Sequence, residues 1–107
     1  METIYTWYGH ATHGLQIGHH KLLIDPYFTG NPVASATADE MDADFILITH
    51  GHGDHIGDTE SIAKRTGALC ISNFEISAWL EKKGLKTHAQ HIGGGYEHPF
   101  GYLKLTK

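Results

Sequence analysis

The chain has 107 residues, enough for one modest domain, and eight Lys and Arg against twelve Asp and Glu give a formal charge of −4. Its longest aliphatic and aromatic stretch, residues 45–48, is far shorter than a membrane span needs, and the acidic start carries no apolar stretch typical of a secretory signal. The lack of a basic run argues against a DNA-coating surface, without excluding an enzyme that acts on nucleic acid.

Histidine and cysteine are the informative residue types. Ten histidines nearly equal the twelve acidic residues in number, and this density indicates metal or proton chemistry. Cys70 is the single cysteine, so no internal disulfide can form, and a reducing cytoplasm is the predicted location. Because Cys70 lies within an apolar run, we interpret it as core packing and not as a nucleophile.

The first quarter of the chain predicts short antiparallel strands. They are expected at residues 4–8, 13–17 and 21–25, with a hairpin turn at 18–20 and a stop at Pro26. Residues 27–42 then form a long connection, of the kind that often lines a site, in which Thr37 and Glu40 are spaced to cap one helical turn.

From Asp44 the pattern alternates strand and helix. Strands are predicted at residues 44–49, 68–71, 86–92 and 102–106. The first helix is predicted at 59–66, with Asp58 as N-cap and Gly67 after its end. A capping box from Ser72 to Glu75 opens the second helix, whose predicted apolar stripe contains Ile76, Trp79 and Leu80. Two strand–helix–strand units imply parallel pairing, so the fold class is α/β with antiparallel N-terminal strands followed by βαβαβ.

The densest chemistry follows the buried strand, where residues 50–55 read HGHGDH. In an extended segment His50 and His52 point to the same side and can bind one ion, at about 2.0–2.2 Å. Asp54 and His55, beyond a bend that the glycines allow, can serve a second ion. The alternative is a solvated polar loop, but histidines clustered without a metal repel one another as they protonate near pH 6.5.

Residues 49–58 match the H-x-H-x-D-H motif of the metallo-β-lactamase superfamily. Three further segments, residues 8–10, 23–32 and 91–94, resemble a branch of uncharacterised metal-dependent hydrolases close to the ascorbate-6-phosphate lactonase group. The resemblance implies an αββα sandwich whose dinuclear site, usually zinc and sometimes manganese, lies at the edge between two sheets.

The resemblance also implies roles for single residues. His50 and His52 resemble the ligands of the first ion, and Asp54 and His55 resemble those of the second. In the same comparison Asp54 orients or deprotonates the attacking water, which makes it a catalytic residue.

For two positions outside the motif, two interpretations stay open. Asp25 resembles the family's buried aspartate behind the metal ligands, but an ordinary turn residue before Pro26 fits as well. His10 resembles a residue near the metals that touches substrate, and a hydrogen-bonded histidine at a strand end fits equally. Among the other histidines, His98 is predicted to lie on the surface.

Members of that family are considerably longer, and their remaining ligands come from a second half. We therefore expect residues 1–107 to be a single unit, the N-terminal half of such a sandwich, with the C-terminal half absent. The predicted function is a hydrolase that uses a metal-activated hydroxide on a small-molecule ester or lactone or on a phosphodiester, with two divalent ions, zinc or alternatively manganese. The alternative is a non-catalytic metal-binding half-domain that assembles with a complementary chain or with itself.

Overall fold

Six strands form one mixed sheet in the computed structural model, which describes residues 2–106. In both chain order and spatial order they are β1 (Thr3–Gly9), β2 (Thr12–Ile17), β3 (His20–Ile24), β4 (Phe45–Leu47), β5 (Leu69–Ser72) and β6 (Thr87–Ala89). Strands β1 to β3 pair antiparallel, and β3 to β6 pair parallel. The predicted α/β class, with antiparallel strands preceding a parallel βαβαβ segment, is confirmed.

Helices connect the parallel strands. The short α1 (Gly53–Ile56) and α2 (Thr59–Thr66) lie between β4 and β5, and α3 (Phe74–Lys82) lies between β5 and β6. The bounds of α2 are the predicted ones, and a 3-10 turn with a Thr37–Glu40 capping box occupies Ala38–Glu40 as expected. No helix within residues 2–106 has the length and apolar composition needed to cross a membrane.

The main core lies between one face of the sheet and the helices. Neighbouring residues of β3, β4 and β5 form a buried row, Leu23, Ile46 and Cys70, which packs against Ile62 of α2 and Leu80 of α3. Burial raises the pKa of the Cys70 thiol to about 11, so the thiolate is scarce at neutral pH. The interpretation of Cys70 as a packing residue is confirmed.

Helix α3 differs from its prediction at both its start and its apolar stripe. Asn73 is the N-cap, with its Oδ1 accepting from the Ile76 amide at 2.9 Å, whereas the Ser72 hydroxyl hydrogen-bonds Ser77 Oγ at 2.7 Å. Trp79 is 45% exposed and carries the Lys83 ammonium 4.5 Å above its ring. At 100° per residue, Trp79 lies at the margin of a buried stripe that Ile76, Ser77 and Leu80 define.

The other face of the sheet carries a hairpin that was predicted only in part. Strands β7 (Gly95–His98) and β8 (Gly101–Lys104) form a separate two-stranded sheet, of which β7 was not predicted. Leu103 and Phe100 of this hairpin pack against a second core of Leu22, Phe45 and Ile71.

The side chain of His98, at the end of β7, is buried between the hairpin and the sheet, so its predicted surface position was wrong. Its ring stacks on Phe100, with centroids 5.2 Å apart, and its Nε2 donates to Gln90 Oε1 at 2.8 Å. The Gln90 amide nitrogen in turn donates to the Gly94 and Leu103 carbonyls, which leaves Oε1 as the acceptor. Burial lowers the pKa of His98, and the nearby His88 lowers it further, while Glu97 opposes the shift.

The lowered pKa of His98 predicts that acid weakens the fold. The unfolded chain protonates His98 near the ordinary value of 6.5, before the folded chain does, so the free energy of unfolding falls as pH drops below 6.5. Urea unfolding at pH 7.5 and pH 5 measures the slope, which we expect to be smaller in His98→Gln than in the parent chain. His19→Gln, at an exposed turn position, is the control and keeps the parent slope. Equal slopes in all three proteins would contradict the prediction.

Candidate metal centre

One edge of the sheet gathers the chemistry-bearing residues. Asp25 follows β3, and His50 follows β4, so both lie at the carboxyl ends of adjacent parallel strands. Strand β1 runs in the same direction as β3, because each pairs antiparallel with β2. The turn that holds His10, directly after β1, therefore reaches the same edge.

Asp25 is the buried anchor of this edge. Its Oδ1 accepts from the Thr49 amide at 2.8 Å, and its Oδ2 accepts from the Thr49 hydroxyl at 2.6 Å and from His55 Nδ1 at 2.8 Å. Thr12 Oγ1 donates to the Asp25 carbonyl at 2.7 Å. Asp25 also has a φ of +48°, a left-handed conformation that costs an L-residue about 1–2 kcal/mol, so these bonds hold a strained backbone in place.

The hydrogen bonds of Asp25 set the tautomers of two histidines. His55 donates through Nδ1 to the carboxylate, which leaves its Nε2 as the free lone pair. The single proton of the Thr49 hydroxyl goes to Asp25, so the Thr49 oxygen accepts from His50 Nδ1 at 2.8 Å, and Nε2 is again free. A carboxylate behind a histidine is the usual support of a metal-ligating imidazole.

The short helix α1 brings the imidazoles together. His52 is its N-cap residue, and the His52 carbonyl accepts from the amides of His55 and Ile56 at 3.0 and 2.9 Å. The ring centroids of His50 and His52 are 4.6 Å apart, and those of His50 and His55 are 3.9 Å apart. Residues 53–56 thus curl into one helical turn, which places His55 beside His50 as well as beside Asp54.

Asp58, two residues after α1, hydrogen-bonds the segment that follows β3. Asp58 Oδ2 accepts from the amides of Phe28 and Thr29 at 2.8 and 2.9 Å, and the Asp58 amide donates to the Pro26 carbonyl at 2.8 Å. Asp58 is the residue before α2 as predicted, but its side chain makes no capping bond with that helix. Gly57 has a φ of +47°, and a Cβ there would overlap the Pro26 carbonyl. This close contact requires glycine.

Asp54 and His10 face each other at the open side of the cluster. Asp54 Oδ2 lies 3.5 Å from His10 Nε2, and Asp54 Oδ1 lies 3.7 Å from His55 Nε2. The Asp54 and His10 side chains are 47% and 41% exposed, whereas His55 is 15% exposed. Solvent therefore reaches Asp54 and His10 directly.

All six residues singled out from the sequence lie at this edge. Within residues 2–106, two groups have ligand atoms within 4.8 Å of one another: His10, Asp54 and His55, and Asp25, His50 and His55. His52 belongs to neither group and contacts the cluster through an edge-to-face arrangement of its ring with that of His50. The roles of Thr49, which hydrogen-bonds Asp25, and of Asp58, which binds the amides of Phe28 and Thr29, were not predicted, although Thr49 is adjacent to the motif.

Replacing Asp25 with asparagine tests its role as anchor. One carboxylate oxygen becomes an NH₂ group, which accepts no hydrogen bond. The Thr49 hydroxyl and His55 then lose their shared acceptor, so we expect a loss of about 1–3 kcal/mol in the free energy of unfolding. We also expect His55 to change tautomer, which nitrogen-detected NMR of the imidazole reports. Asp39→Asn, at an exposed position of the 3-10 turn, is the control. An Asp25→Asn chain with parent stability and an unchanged His55 tautomer would show that the anchor is dispensable.

Comparisons with known proteins identify the family of the chain. A family model described as the beta-lactamase superfamily domain matches residues 5–101. A UPF0173 metal-dependent hydrolase of Heliobacterium modesticaldum is 52% identical over 101 residues, which are 94% of this chain and 42% of that relative. A similarly named protein of Bacillus velezensis is 45% identical over 102 residues, 95% of this chain and 45% of that relative.

A solved structure is similar as well. It is Igni18, a metallo hydrolase of Ignicoccus hospitalis, with a TM-score of 0.82 and 35% identity over 88% of this chain and 42% of that protein. The chain thus spans less than half the length of all three relatives.

Proposed function

This chain belongs to the beta-lactamase superfamily, and from that premise we propose that it carries the metal-binding centre of a metal-dependent hydrolase. The substrate we propose is an ester, a lactone or a phosphodiester. The observation that carries the proposal is the bonding of Asp25, directly to His55 and through Thr49 to His50. These bonds leave Nε2 of both imidazoles free, with that of His55 3.7 Å from Asp54 Oδ1. The unpaired Cys70 favours the reducing cytoplasm as the location.

The donor set fits two divalent ions, zinc or alternatively manganese. Neutral imidazole nitrogens and a carboxylate are ligands that zinc accepts, and the carboxylate also suits manganese. We propose that His50 and His52 hold one ion, and that Asp54 and His55 hold the other. A cation bound here would act as a Lewis acid and lower the pKa of a water molecule towards about 7, so that hydroxide is available at neutral pH.

The chain's own residues have separate tasks in this proposal. Asp54, half exposed at the open side, orients the attacking water and accepts its hydrogen bond. Asp25, fully buried, keeps His55 from rotating and, through Thr49, also restrains His50. His10 stands at the rim opposite Asp54, where a bound substrate would enter.

Replacing His52 with alanine tests the hydrolase assignment. His52 is exposed, so the variant is expected to fold, while loss of a ligand lowers hydrolysis by about 100-fold or more. The assay uses the zinc- or manganese-loaded chain with a nitrophenyl ester, a lactone and a bis(nitrophenyl) phosphate, and circular dichroism checks the fold. His19→Ala, in the exposed turn between β2 and β3, serves as the matched histidine control. Undiminished hydrolysis by His52→Ala would refute the assignment.

A second function is favoured by the exposed side of the sheet. Tyr5 and Trp7 point to the same face as Leu22 and Phe45, because register pairs Tyr5 with Leu15 and Leu15 with Leu22. Trp7 is 57% exposed and Tyr5 is 58% exposed, and the hairpin β7–β8 covers the neighbouring part of this face. We propose, as the alternative function, that the chain is a non-catalytic metal-binding half-domain. In that case this face binds a complementary chain, or a second copy of the same chain when no complementary chain is present.

Sedimentation velocity over a range of chain concentrations tests the assembly. The parent chain is expected to form a dimer, and Trp7→Ser is expected to shift it towards the monomer, because the substitution removes apolar area from the face. Trp79→Ser is the matched control, since Trp79 is similarly exposed but lies on α3, away from this face. A parent chain that stays monomeric at every concentration would exclude self-assembly.

A further inference from the structure

His10 is an L-residue at a turn position that favours glycine. Its φ is +57°, in the left-handed region that costs an L-residue about 1–2 kcal/mol. The preceding Gly9 also has a positive φ, of +109°, and Trp7 Nε1 donates to the His10 carbonyl at 2.9 Å. Glycine at position 10 would adopt this turn without strain, so the histidine ring itself needs an explanation.

The turn aims the His10 ring at the metal centre. The ring lies edge-on to Tyr27 and to His55, with centroids 5.7 and 5.4 Å away. Its Nε2 is 3.5 Å from Asp54 Oδ2, and Asp54 Oδ1 is 3.7 Å from His55 Nε2. Both separations exceed the 2.7–3.2 Å typical of an N–H···O hydrogen bond.

The three side chains lie close enough together to share one cation, because their ligand atoms are all within 4.8 Å of one another. Ligand atoms about 2.0–2.1 Å from a zinc ion at tetrahedral angles are about 3.3–3.4 Å apart, and the carboxylate of Asp54 faces His10 through Oδ2 at 3.5 Å and His55 through Oδ1 at 3.7 Å. The other group of three does not fit in this way, because Asp25 lies at hydrogen-bond distance from His55 and its two oxygens already accept three bonds. Asp25 is therefore an anchor, whereas His10 has a free nitrogen lone pair to offer.

We propose that His10 is a direct ligand of the cation at Asp54 and His55. This inference rests on the proposed metal centre and adds a third protein donor to it, from the turn between β1 and β2. Two imidazole nitrogens and one carboxylate oxygen leave a fourth position open, which is the arrangement of catalytic zinc sites. It follows that this chain binds one cation through three of its own side chains, more tightly than it binds any cation at His50 and His52.

Cobalt and zinc binding to the 107-residue chain tests the proposal without measuring activity. Visible absorption of Co²⁺ reports tetrahedral coordination, calorimetry with Zn²⁺ gives affinity, and nitrogen-detected NMR shows whether His10 Nε2 shifts on zinc binding. We expect one tight equivalent in the parent chain and a shifted His10 Nε2. In His10→Gly we expect the tight equivalent to weaken by about 100-fold or more, because a ligand matters at least as much as its supporting residues.

The glycine substitution distinguishes an effect on stability from an effect on metal binding. His10→Gly relieves the positive φ and is expected to unfold at the same temperature as the metal-free parent or above it, yet to lose the tight site. His19→Gly, also a histidine in a turn, is the control and keeps the tight site.

The outcomes distinguish the two proposals. If His10→Gly binds Co²⁺ with the parent affinity and spectrum while Asp54→Ala does not, the metal centre stands and His10 is not a ligand. If His10 Nε2 does not shift although zinc binds tightly, His10 is likewise excluded. If the parent chain binds neither cation, both the proposed function and this inference fail.

Discussion

The buried carboxylate of Asp25 is the interaction on which the site depends. It joins the end of β3, the end of β4 and the helical turn α1 through three short hydrogen bonds. A charged group at this depth is costly unless every lone pair finds a donor, and here the Thr49 amide, the Thr49 hydroxyl and His55 provide them. The same bonds hold Asp25 in its left-handed conformation and set the free nitrogens of His50 and His55.

The supporting residues and the proposed ligands of the candidate site differ in solvent exposure. The buried or half-buried groups, such as Asp25, Thr12 and Asp58, make hydrogen bonds that hold the loops after β3 and β4 against each other. The exposed groups at the same edge, such as His52 and Asp54, make few bonds within the protein. Rigid supports with available donors are what a metal centre requires, because ligands that already occupy their positions lose little entropy on binding.

The two faces of the sheet differ in how completely they are covered. Helices α2 and α3 bury one face in a continuous core, whereas the hairpin β7–β8 covers only part of the other and leaves Tyr5 and Trp7 exposed. The relatives are more than twice as long as the matched segment, so they contain chain that this sequence does not match. The candidate metal centre lies at the sheet edge where β1, β3 and β4 end.

The sequence by itself determined the α/β class, the parallel pairing of the later strands, the bounds of α2 and the segment that carries the chemistry. These features depend on local periodicity and on residues a few positions apart, and such patterns are readable along the chain. It also identified six residues that the structure places at one sheet edge, because a dense histidine motif after a buried strand has few packing roles. It did not show that residues 53–56 form a helical turn, nor that His10 joins Asp54 and His55 in one group.

Only the tertiary structure decided that His98 is buried, that Trp79 is exposed, and that His10 lies 3.5 Å from Asp54. His10 and Asp54 are far apart in the chain and meet because β1 and β3 run in the same direction on either side of β2. Such contacts arise from the pairing of whole strands, and no local spacing encodes them.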